Sequence, residues 1–392
     1  MSVERKAGKH ADNELEYVRQ VLESDARSAT SGSWNQRLEK QFAERFGMRF
    51  AIAHNSGTSA LHTCLCAAGV GPGDEVISPA LTVIMDAFAI RYQGAVPIFA
   101  DVDPNTFNID PDDVRKRITP ATKAIITVSL YGLPADVDPI VEIAAGHNLT
   151  LIEDNAQCFL GMYNGRLAGT IGHMSVFSFE NSKHIAVGEG GMVMTNDQVL
   201  AQRVRKYGGI GYKNLTAEGG RIRLNEDVFQ DPDYKRHDCI GWNYRLTELC
   251  AAVAVAQLER AEQTVKMRQD IARLYAEAIA GCKWMTPQAV PEGRTHTYWT
   301  YAVKYEGNAA LGVPWKVFYK TYKDNGGDGF YAAWSIPYQE PALSSLGYKK
   351  GLCPIAEELQ PKIMQFKTNY RDLEVAKKKA DALRKTIGHF QG

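Results

Sequence analysis

Short apolar runs alternate with helix-length segments along the first half of the chain, and this alternation limits the possible folds more than any other feature. The runs have the length of buried strands and cover residues 51–53, 75–78, 96–100, 124–128 and 150–152. The segments between them have helical length and cover residues 58–68, 81–92, 111–117 and 136–147. A strand, a helix and a further strand in this order form a βαβ unit with parallel strands. We therefore predict an α/β fold with a mainly parallel central sheet flanked by helices.

The length of the chain predicts a second domain. A single hydrophobic core usually stops growing at ~250–300 residues, and this chain has 392. After about residue 195 the alternation stops, and helical pattern covers 246–280, with strands predicted at 298–304 and 335–338 and a basic helix at 373–387. We predict a large domain over 1–260, with an N-terminal helical segment, and a small C-terminal α+β domain over 261–392.

Charge and cysteine content exclude several functional classes. The 45 basic residues balance the 45 acidic ones, which argues against binding to nucleic acid or to an anionic membrane. No apolar stretch approaches the ~18 residues of a membrane span, and residues 1–13 lack the apolar core of a secretory signal. The seven cysteines are scattered without a CxxC pair, so we predict reduced thiols and no metal site. Together these features predict a cytoplasmic protein.

A candidate phosphate-binding segment covers residues 54–61, His-Asn-Ser-Gly-Thr-Ser-Ala-Leu. It follows a predicted strand and opens a predicted helix. Gly57 permits a tight turn, and the hydroxyls of Thr58 and Ser59 add donors to the free N–H groups of the first helical turn. The pattern favours a phosphate site, and a capped helix start without a ligand is the alternative.

A candidate acidic group closes the strand in residues 151–157, Leu-Ile-Glu-Asp-Asn-Ala-Gln. Open α/β sheets bind ligands at the carboxyl ends of their parallel strands. Burial of an ionised Asp154 there would be energetically unfavourable unless its carboxylate paired with a positive group such as a protonated ring nitrogen. An ordinary cap or salt bridge in a loop is the alternative.

A candidate nucleophile, Lys183, lies between the aromatic segment 177–179 and the glycine cluster 188–191. Desolvation at such a place lowers the pKa of an amine and makes it reactive toward an aldehyde. Glycines allow the backbone to approach a planar ring closely. A surface lysine in a glycine-rich hairpin is the alternative.

These three segments, in this order, supply the protein groups that a pyridoxal phosphate site requires. The cofactor provides the electron sink, while the protein provides a lysine that forms a Schiff base and a carboxylate that keeps the pyridine nitrogen protonated. A nicotinamide site is less favoured, because residues 188–191 lack the GxGxxG order.

The combination resembles the DegT/DnrJ/EryC1/StrS family of sugar aminotransferases, a branch of the fold-type I pyridoxal phosphate enzymes. The likeness runs from about residue 31 to residue 260 and weakly beyond. Its markers, in sequence order, are residues 55–61, 71–77, 153–157, 177–183, 188–191 and 241–246.

The resemblance implies a role for each matching residue. Lys183 joins the cofactor covalently and moves the proton during catalysis, Asp154 pairs with the pyridine nitrogen, and Gln157 lies near the ring hydroxyl. Asn243 reaches the cofactor phosphate of the neighbouring subunit, which makes the protein a homodimer with shared active sites. The residues implied to bind the phosphate within one subunit are Ser56, Gly57, Thr58 and Ser178.

The resemblance also implies a reaction, the transfer of an amino group from an L-amino acid to a keto group of a nucleotide-linked keto-deoxysugar. The expected amino donor is L-glutamate. A cyclitol or another non-nucleotide ketone is the alternative acceptor, because two features would reshape the pocket. One is the polar stretch 208–238, and the other is Val83, which stands where the family usually has a ring-stacking aromatic residue. A sugar dehydratase, in which histidine replaces the lysine, and a non-catalytic relative that binds the cofactor are less favoured.

Overall fold

The structure is a computed structural model that describes residues 12–24, 33–219 and 226–391. The predicted start of the family resemblance, at residues 31 and 32, and residues 220–225 of the polar stretch lie outside the described residues. The α-helices of the described ranges are α1 (Asp12–Glu23), α2 (Trp34–Phe46), α3 (Gly57–Ala67), α4 (Met85–Tyr92), α5 (Pro111–Arg117), α6 (Val137–Gly146), α7 (Gln198–Gly208), α8 (Glu226–Gln230), α9 (Glu248–Leu258), α10 (Ala261–Ile279), α11 (Gly307–Leu311), α12 (Trp315–Asp324), α13 (Pro354–Leu359) and α14 (Leu373–Gln391). The β-strands are β1 (Phe50–His54), β2 (Glu75–Pro79), β3 (Val96–Ala100), β4 (Thr122–Val128), β5 (Thr150–Asp154), β6 (Met162–Tyr163), β7 (Arg166–Leu167), β8 (Met174–Ser178), β9 (Gly191–Thr195), β10 (Met285–Pro287), β11 (Arg294–Thr295), β12 (Thr300–Tyr305), β13 (Tyr331–Ala332) and β14 (Ile363–Lys367).

The central sheet has seven strands in the order β1-β9-β8-β5-β4-β2-β3. Strands β8, β5, β4, β2 and β3 pair in parallel, whereas β9 is antiparallel to both of its neighbours, β1 and β8. The five strands predicted for the first half are all present, and the prediction of a mainly parallel sheet with flanking helices is confirmed.

Both faces of this sheet are covered by apolar side chains, which explains why its strands are apolar without interruption. In β4, Ile126 packs in the core that includes α3 and α4, while Ile125 packs on the opposite face with α5 and α6. In β5, Ile152 and Leu151 divide between the same two faces. Successive side chains of a strand point to opposite faces, so each strand contributes to both cores.

The helical pattern predicted over 246–280 is two helices, α9 and α10. They separate at Glu259 and Arg260, and Arg260 has a non-helical backbone with φ −122° and ψ 22°. The side chain of Arg260 pairs with Glu14 of α1 and donates a 3.1 Å hydrogen bond to Asn13. The break therefore lies where the N-terminal helix packs against the rest of the chain.

A second sheet, β10-β12-β14-β13, is antiparallel and packs against α10 and α14. The strand predicted at 335–338 is wrong, because Pro337–Gln339 forms a 3-10 helix instead. Proline has no N–H group for a strand ladder and its fixed φ suits a helical start. A third, small sheet has the order β11-β6-β7.

The domain boundary at residue 260 stays a prediction. Helix α10 begins at Ala261, yet Ala333, Ile336 and Tyr338 pack in the same core as α3 and α4 of the first half. Among the described residues, none of the helices combines the length and the apolar character needed to cross a membrane.

The carboxylate of Asp101 connects the end of β3 to the start of α13, and it provides a test of this packing. Its two oxygens accept hydrogen bonds from the backbone N–H groups of Ile355, at 2.9 Å, and Ala356, at 2.8 Å. Asp101→Ala leaves these N–H groups without an acceptor, so we expect the free energy of unfolding to fall by about 1–3 kcal/mol. Denaturant unfolding measures this change. The control is Glu358→Ala on the exposed side of α13, which should unfold like the wild type. Equal effects of the two variants would contradict the capping role.

Candidate active site

The candidate site lies where the carboxyl ends of β5 and β8 meet the start of α3. Ser178 ends β8, and Gly57 begins α3. A Cβ atom at residue 57 would lie only 3.0 Å from the Cβ and 3.3 Å from the Oγ of Ser178. The structure thus brings these two predicted phosphate residues together, and only glycine fits at residue 57 without a shift of its neighbour.

The amino end of α3 has the form of an anion site. Ser56 and Ser59 cap the helix reciprocally, since each side-chain oxygen accepts a 3.1 Å hydrogen bond from the backbone N–H of the other. Helix geometry leaves the N–H groups of Gly57 and Thr58 without an intrahelical acceptor, and the helix dipole attracts negative charge there. Both the hydroxyl and the backbone N–H of Ser56 take part in this cap, and its predicted phosphate role stays a prediction.

Gly191 at the start of β9 lies against the start of α3. A Cβ atom there would lie 2.5 Å from the carbonyl oxygen of Ser56 and 2.8 Å from the backbone nitrogen of Gly57. The predicted approach of the glycine cluster, residues 188–191, to a planar ring stays a prediction. The structure uses Gly191 to let β9 approach the backbone of the candidate phosphate loop.

Lys183 lies in the connection between β8 and β9, partly buried. Its Nζ lies 4.6 Å from the ring centroid of Trp299. Burial lowers the pKa of this amine to about 8, although the nearby negative charges of Asp154 and Glu180 act in the opposite direction. A lysine with this pKa has a much larger fraction of neutral, nucleophilic amine at neutral pH than an exposed lysine.

Arg268 of α10 fixes the backbone around Lys183, and no local sequence pattern marks it. Its guanidinium donates hydrogen bonds to the carbonyl oxygens of Ser182, at 2.8 Å, and Lys183, at 3.0 Å. It also donates a 2.8 Å hydrogen bond to the carbonyl oxygen of Trp299. Burial lowers the pKa of Arg268 to about 9. This one side chain therefore joins the loop of the lysine to the segment that carries the tryptophan.

Asp154 closes β5 and is buried, and its Oδ1 accepts a 2.8 Å hydrogen bond from the backbone N–H of Ala156. Burial raises the pKa of Asp154, while the Ala156 N–H and the charge of Lys183 oppose the rise. A second carboxyl group, Asp86 of α4, lies beside it and was also missed. The signal available in the sequence was an acidic residue inside the otherwise apolar segment 83–90.

Gln157 is buried and oriented by a strained residue. Its side-chain oxygen accepts a 2.7 Å hydrogen bond from the backbone N–H of Tyr131, whose φ is +61°. Such a φ is uncommon for a residue other than glycine and is often found near functional sites. The bond fixes the orientation of the amide, so the NH₂ group of Gln157 is the donor left for a ligand.

Aromatic rings form a wall next to Lys183. The ring of Trp299 stacks on that of Trp334, with centroids 5.7 Å apart, and Trp334 stacks on Tyr131 at 6.4 Å. Trp334, which stacks on both of the others, is the most exposed ring of this wall, with 36% of its surface accessible. Trp299 and Trp334 lie far along the chain from the predicted motifs, and no sequence pattern singled them out.

Asn243 is exposed on the segment before α9. Its carbonyl oxygen accepts a 3.4 Å hydrogen bond from the side chain of Asn55, and the backbone N–H of Asn55 donates a 2.7 Å bond to the carbonyl oxygen of Tyr244. The backbone of this segment therefore lies beside the phosphate loop of its own chain. The predicted role of the Asn243 side chain toward a neighbouring subunit stays a prediction.

Together these groups fit pyridoxal phosphate. The cofactor needs an amine that is neutral near physiological pH, a carboxylate for its ring nitrogen and backbone donors for its phosphate. Lys183, Asp154 and the start of α3 supply the three, and Gly57 leaves open the space that a side chain would fill.

Comparison with known proteins gives consistent matches. The sequence profile of the DegT/DnrJ/EryC1/StrS aminotransferase family matches residues 9–371. The chain is 40% identical to a GDP-perosamine synthase of Caulobacter vibrioides over 295 residues, 74% of each protein. It is 36% identical to an L-glutamine:2-deoxy-scyllo-inosose aminotransferase of Streptomyces kanamyceticus over 301 residues, 75% of this chain and 68% of the relative.

Among solved structures, an aminotransferase from Psychrobacter cryohalolentis matches with a TM-score of 0.88 at 28% identity, covering 99% of this chain and 100% of that one. The fold is that of the fold-type I pyridoxal phosphate enzymes, as the resemblance implied. The chain therefore belongs to the DegT/DnrJ/EryC1/StrS aminotransferase family and is a pyridoxal phosphate-dependent transaminase.

Proposed function

We propose that this enzyme transfers the amino group of L-glutamate to the keto group of a nucleotide-linked keto-deoxysugar. The observation that carries the proposal is the amine of Lys183, which has a lowered pKa, lies 4.6 Å from the ring centroid of Trp299 and interacts with the charge of Asp154. The 40% sequence identity to a GDP-perosamine synthase supports this class of acceptor, because the name of that relative contains a sugar linked to the nucleotide GDP.

The chain's own residues divide the work as follows. Pyridoxal phosphate supplies an electron sink for the charge that develops at the reacting carbon. Lys183 Nζ would carry the proton between that carbon and C4′ of the cofactor, and a lowered pKa favours this role. The Asp154 carboxylate keeps the ring nitrogen protonated, the Gln157 NH₂ group donates to the ring hydroxyl, and Ser178 with the N–H groups at the start of α3 binds the phosphate.

The dehydratase alternative does not suit this site. The position that holds histidine in that branch is Lys183 here, and the adjacent His184 is buried with its Nε2 2.9 Å from the carbonyl oxygen of Thr297. Burial lowers the pKa of His184 well below its usual value. This imidazole is therefore part of the packing and is not available for proton transfer at the cofactor.

A cyclitol ketone is the second candidate acceptor. It is supported by the 36% identity to the relative named for 2-deoxy-scyllo-inosose. The name of this relative also includes L-glutamine, which is therefore the competing amino donor. Because an aromatic wall binds the apolar faces of both sugars and cyclitols, the geometry suits either acceptor, and the higher identity to the GDP-perosamine synthase favours the nucleotide-linked one.

We also propose that the enzyme is a cytoplasmic homodimer in which Asn243 completes the phosphate site of the other subunit. Ile240, three positions earlier, has 86% of its surface accessible in the isolated chain, and a large apolar side chain with this exposure favours cover by a partner. All seven cysteines are unpaired, which suits a reducing compartment.

Substitution of the lysine tests the covalent role. Lys183→Ala should lower turnover about a thousandfold or more while the circular dichroism spectrum stays unchanged, because the amine that moves the proton is removed. Borohydride reduction of the wild-type holoenzyme followed by peptide mapping should place the cofactor on residue 183. The exposed Lys320→Ala serves as the control and should retain both activity and label. Label on any other lysine would refute the assignment.

The lowered pKa of Lys183 predicts how cofactor capture depends on pH. Only the neutral amine attacks the aldehyde, so the rate of capture by cofactor-free protein should rise roughly tenfold per pH unit below about pH 8 and level off above it. Stopped-flow absorbance measures this rate. The reference reaction is that of an N-acetyl-lysine, whose rate should continue to rise toward its ordinary pKa near ~10.4. Two parallel profiles would show that the amine is not desolvated.

The exposure of Trp334 in the aromatic wall predicts a selective effect on the acceptor. Trp334→Ala should raise the KM for the keto-sugar nucleotide about threefold to tenfold, since one ring face is lost, while the KM for the amino donor stays the same. Trp334→Phe should preserve most of the affinity. The assay follows 2-oxoglutarate with GDP-linked keto-deoxysugars and with 2-deoxy-scyllo-inosose as acceptors. A preference for the cyclitol would reverse the order of the two candidates.

A further inference from the structure

The carboxyl group of Asp86 has an incomplete set of hydrogen bonds. Asp86 lies in the first turn of α4 and only 1% of its surface is accessible. Its Oδ2 accepts a 2.7 Å hydrogen bond from the hydroxyl of Thr82. Its Oδ1 has no donor among the residues that the structure describes. A fully buried carboxylate oxygen without a donor is strongly unfavourable, so this oxygen requires an explanation.

Asp154 provides the explanation, because its buried carboxyl group interacts directly with that of the buried Asp86. Two ionised carboxylates repel each other, and neither has a proton to donate. A single proton held between the two groups removes the repulsion and supplies the missing hydrogen bond. Both carboxyl groups therefore have a hydrogen-bonding partner only when one of them is protonated.

The surroundings decide which member holds the proton. Asp154 accepts the Ala156 N–H and is close to the positive charge of Lys183, and both favour its anion. Asp86 receives only the neutral hydroxyl of Thr82. Burial raises the pKa of Asp86 well above its usual value, and the charge of Asp154 raises it further. The titratable groups that face the pair are Lys183 and the buried thiol of Cys64 on α3.

We propose that Asp86 is a protonated carboxylic acid in the native enzyme and donates a hydrogen bond to Asp154, which it holds as an oriented anion toward the cofactor's ring nitrogen. Asp86 is thus a positioning residue that acts through Asp154. The proposal rests on the role proposed for Asp154 above. The pair as a whole carries one negative charge, which matches the single positive charge of a protonated pyridine nitrogen.

Infrared spectroscopy of the holoenzyme tests the protonation state without measuring activity. A protonated carboxyl group absorbs separately from carboxylates, and labelling with ¹³C-aspartate shifts its band. The difference spectrum of wild type minus Asp86→Asn at neutral pH should contain this band. The matched control, Asp112→Asn on the exposed surface of α5, removes only an ionised carboxylate and should leave the band in place. A difference spectrum that shows only the loss of a carboxylate at residue 86 would overturn the proposal.

The visible absorption of the bound cofactor tests the hydrogen bond. Without the donor, the anion of Asp154 is less stable and supports the protonated ring nitrogen less well. The ring then withdraws less electron density from the nitrogen of Lys183. In Asp86→Ala we therefore expect the spectroscopic pKa, the pH midpoint of the change in the cofactor's visible absorption, to rise by about one unit. We also expect kcat to fall about tenfold or more, with the KM for the sugar nucleotide little changed. Asp86→Asn keeps a neutral donor and should recover most of the spectroscopic pKa and kcat lost in the alanine variant.

Two results would overturn the role of Asp86. If Asp86→Asn behaved like Asp86→Ala, the negative charge and not the donated hydrogen bond would matter, and if both matched the wild type, the residue would have no influence on the cofactor. Either result is distinguishable from a failure of the proposed function, because borohydride labelling of Lys183 in the same preparations reports the cofactor assignment independently. The infrared result on Asp86→Asn does not depend on an alanine variant that folds poorly.

Discussion

Burial acts in opposite directions on the two groups that the chemistry of this enzyme needs. It lowers the pKa of the Lys183 amine and raises that of the Asp154 carboxyl, while the attraction between the two opposes both changes. Neither group can move far from the other without losing this balance. The parallel sheet keeps the two groups near each other, because Asp154 ends β5, Lys183 lies in the loop after β8, and these two strands are adjacent and end at the same edge.

The two acidic residues at the end of β5 have different roles, one in stabilising the fold and the other in the candidate site. Glu153 and Asp154 are consecutive, so their side chains point to opposite faces. Glu153 is buried and accepts hydrogen bonds from the backbone N–H groups of Gly169, Ile171 and Gly172, which fixes the loop before β8. Asp154 faces the site. One strand end thus stabilises a loop with one carboxylate and supplies a reactive group with the next.

The sequence was most informative where one contiguous segment contains both the element and its chemistry. The phosphate loop begins a helix, Asp154 ends a strand, and Lys183 lies between two strands, so local pattern was enough to locate them. Arg268 and Trp299 act through contacts over long sequence separations, which no local pattern reveals. The strand predicted at 335–338 failed because apolar residues around Pro337 fill the core without a ladder.

The link that Arg268 makes between the loop of Lys183 and the backbone of Trp299 limits how the pocket can be altered. A change of acceptor achieved by shifting the Trp299 segment would also displace the reactive amine, so broader specificity would come at the expense of rate. Trp334 forms the outer part of the same wall and is partly open to solvent. Divergence of acceptor preference among relatives of this enzyme should therefore accumulate at the outer ring, while the inner ring and its arginine change together or not at all.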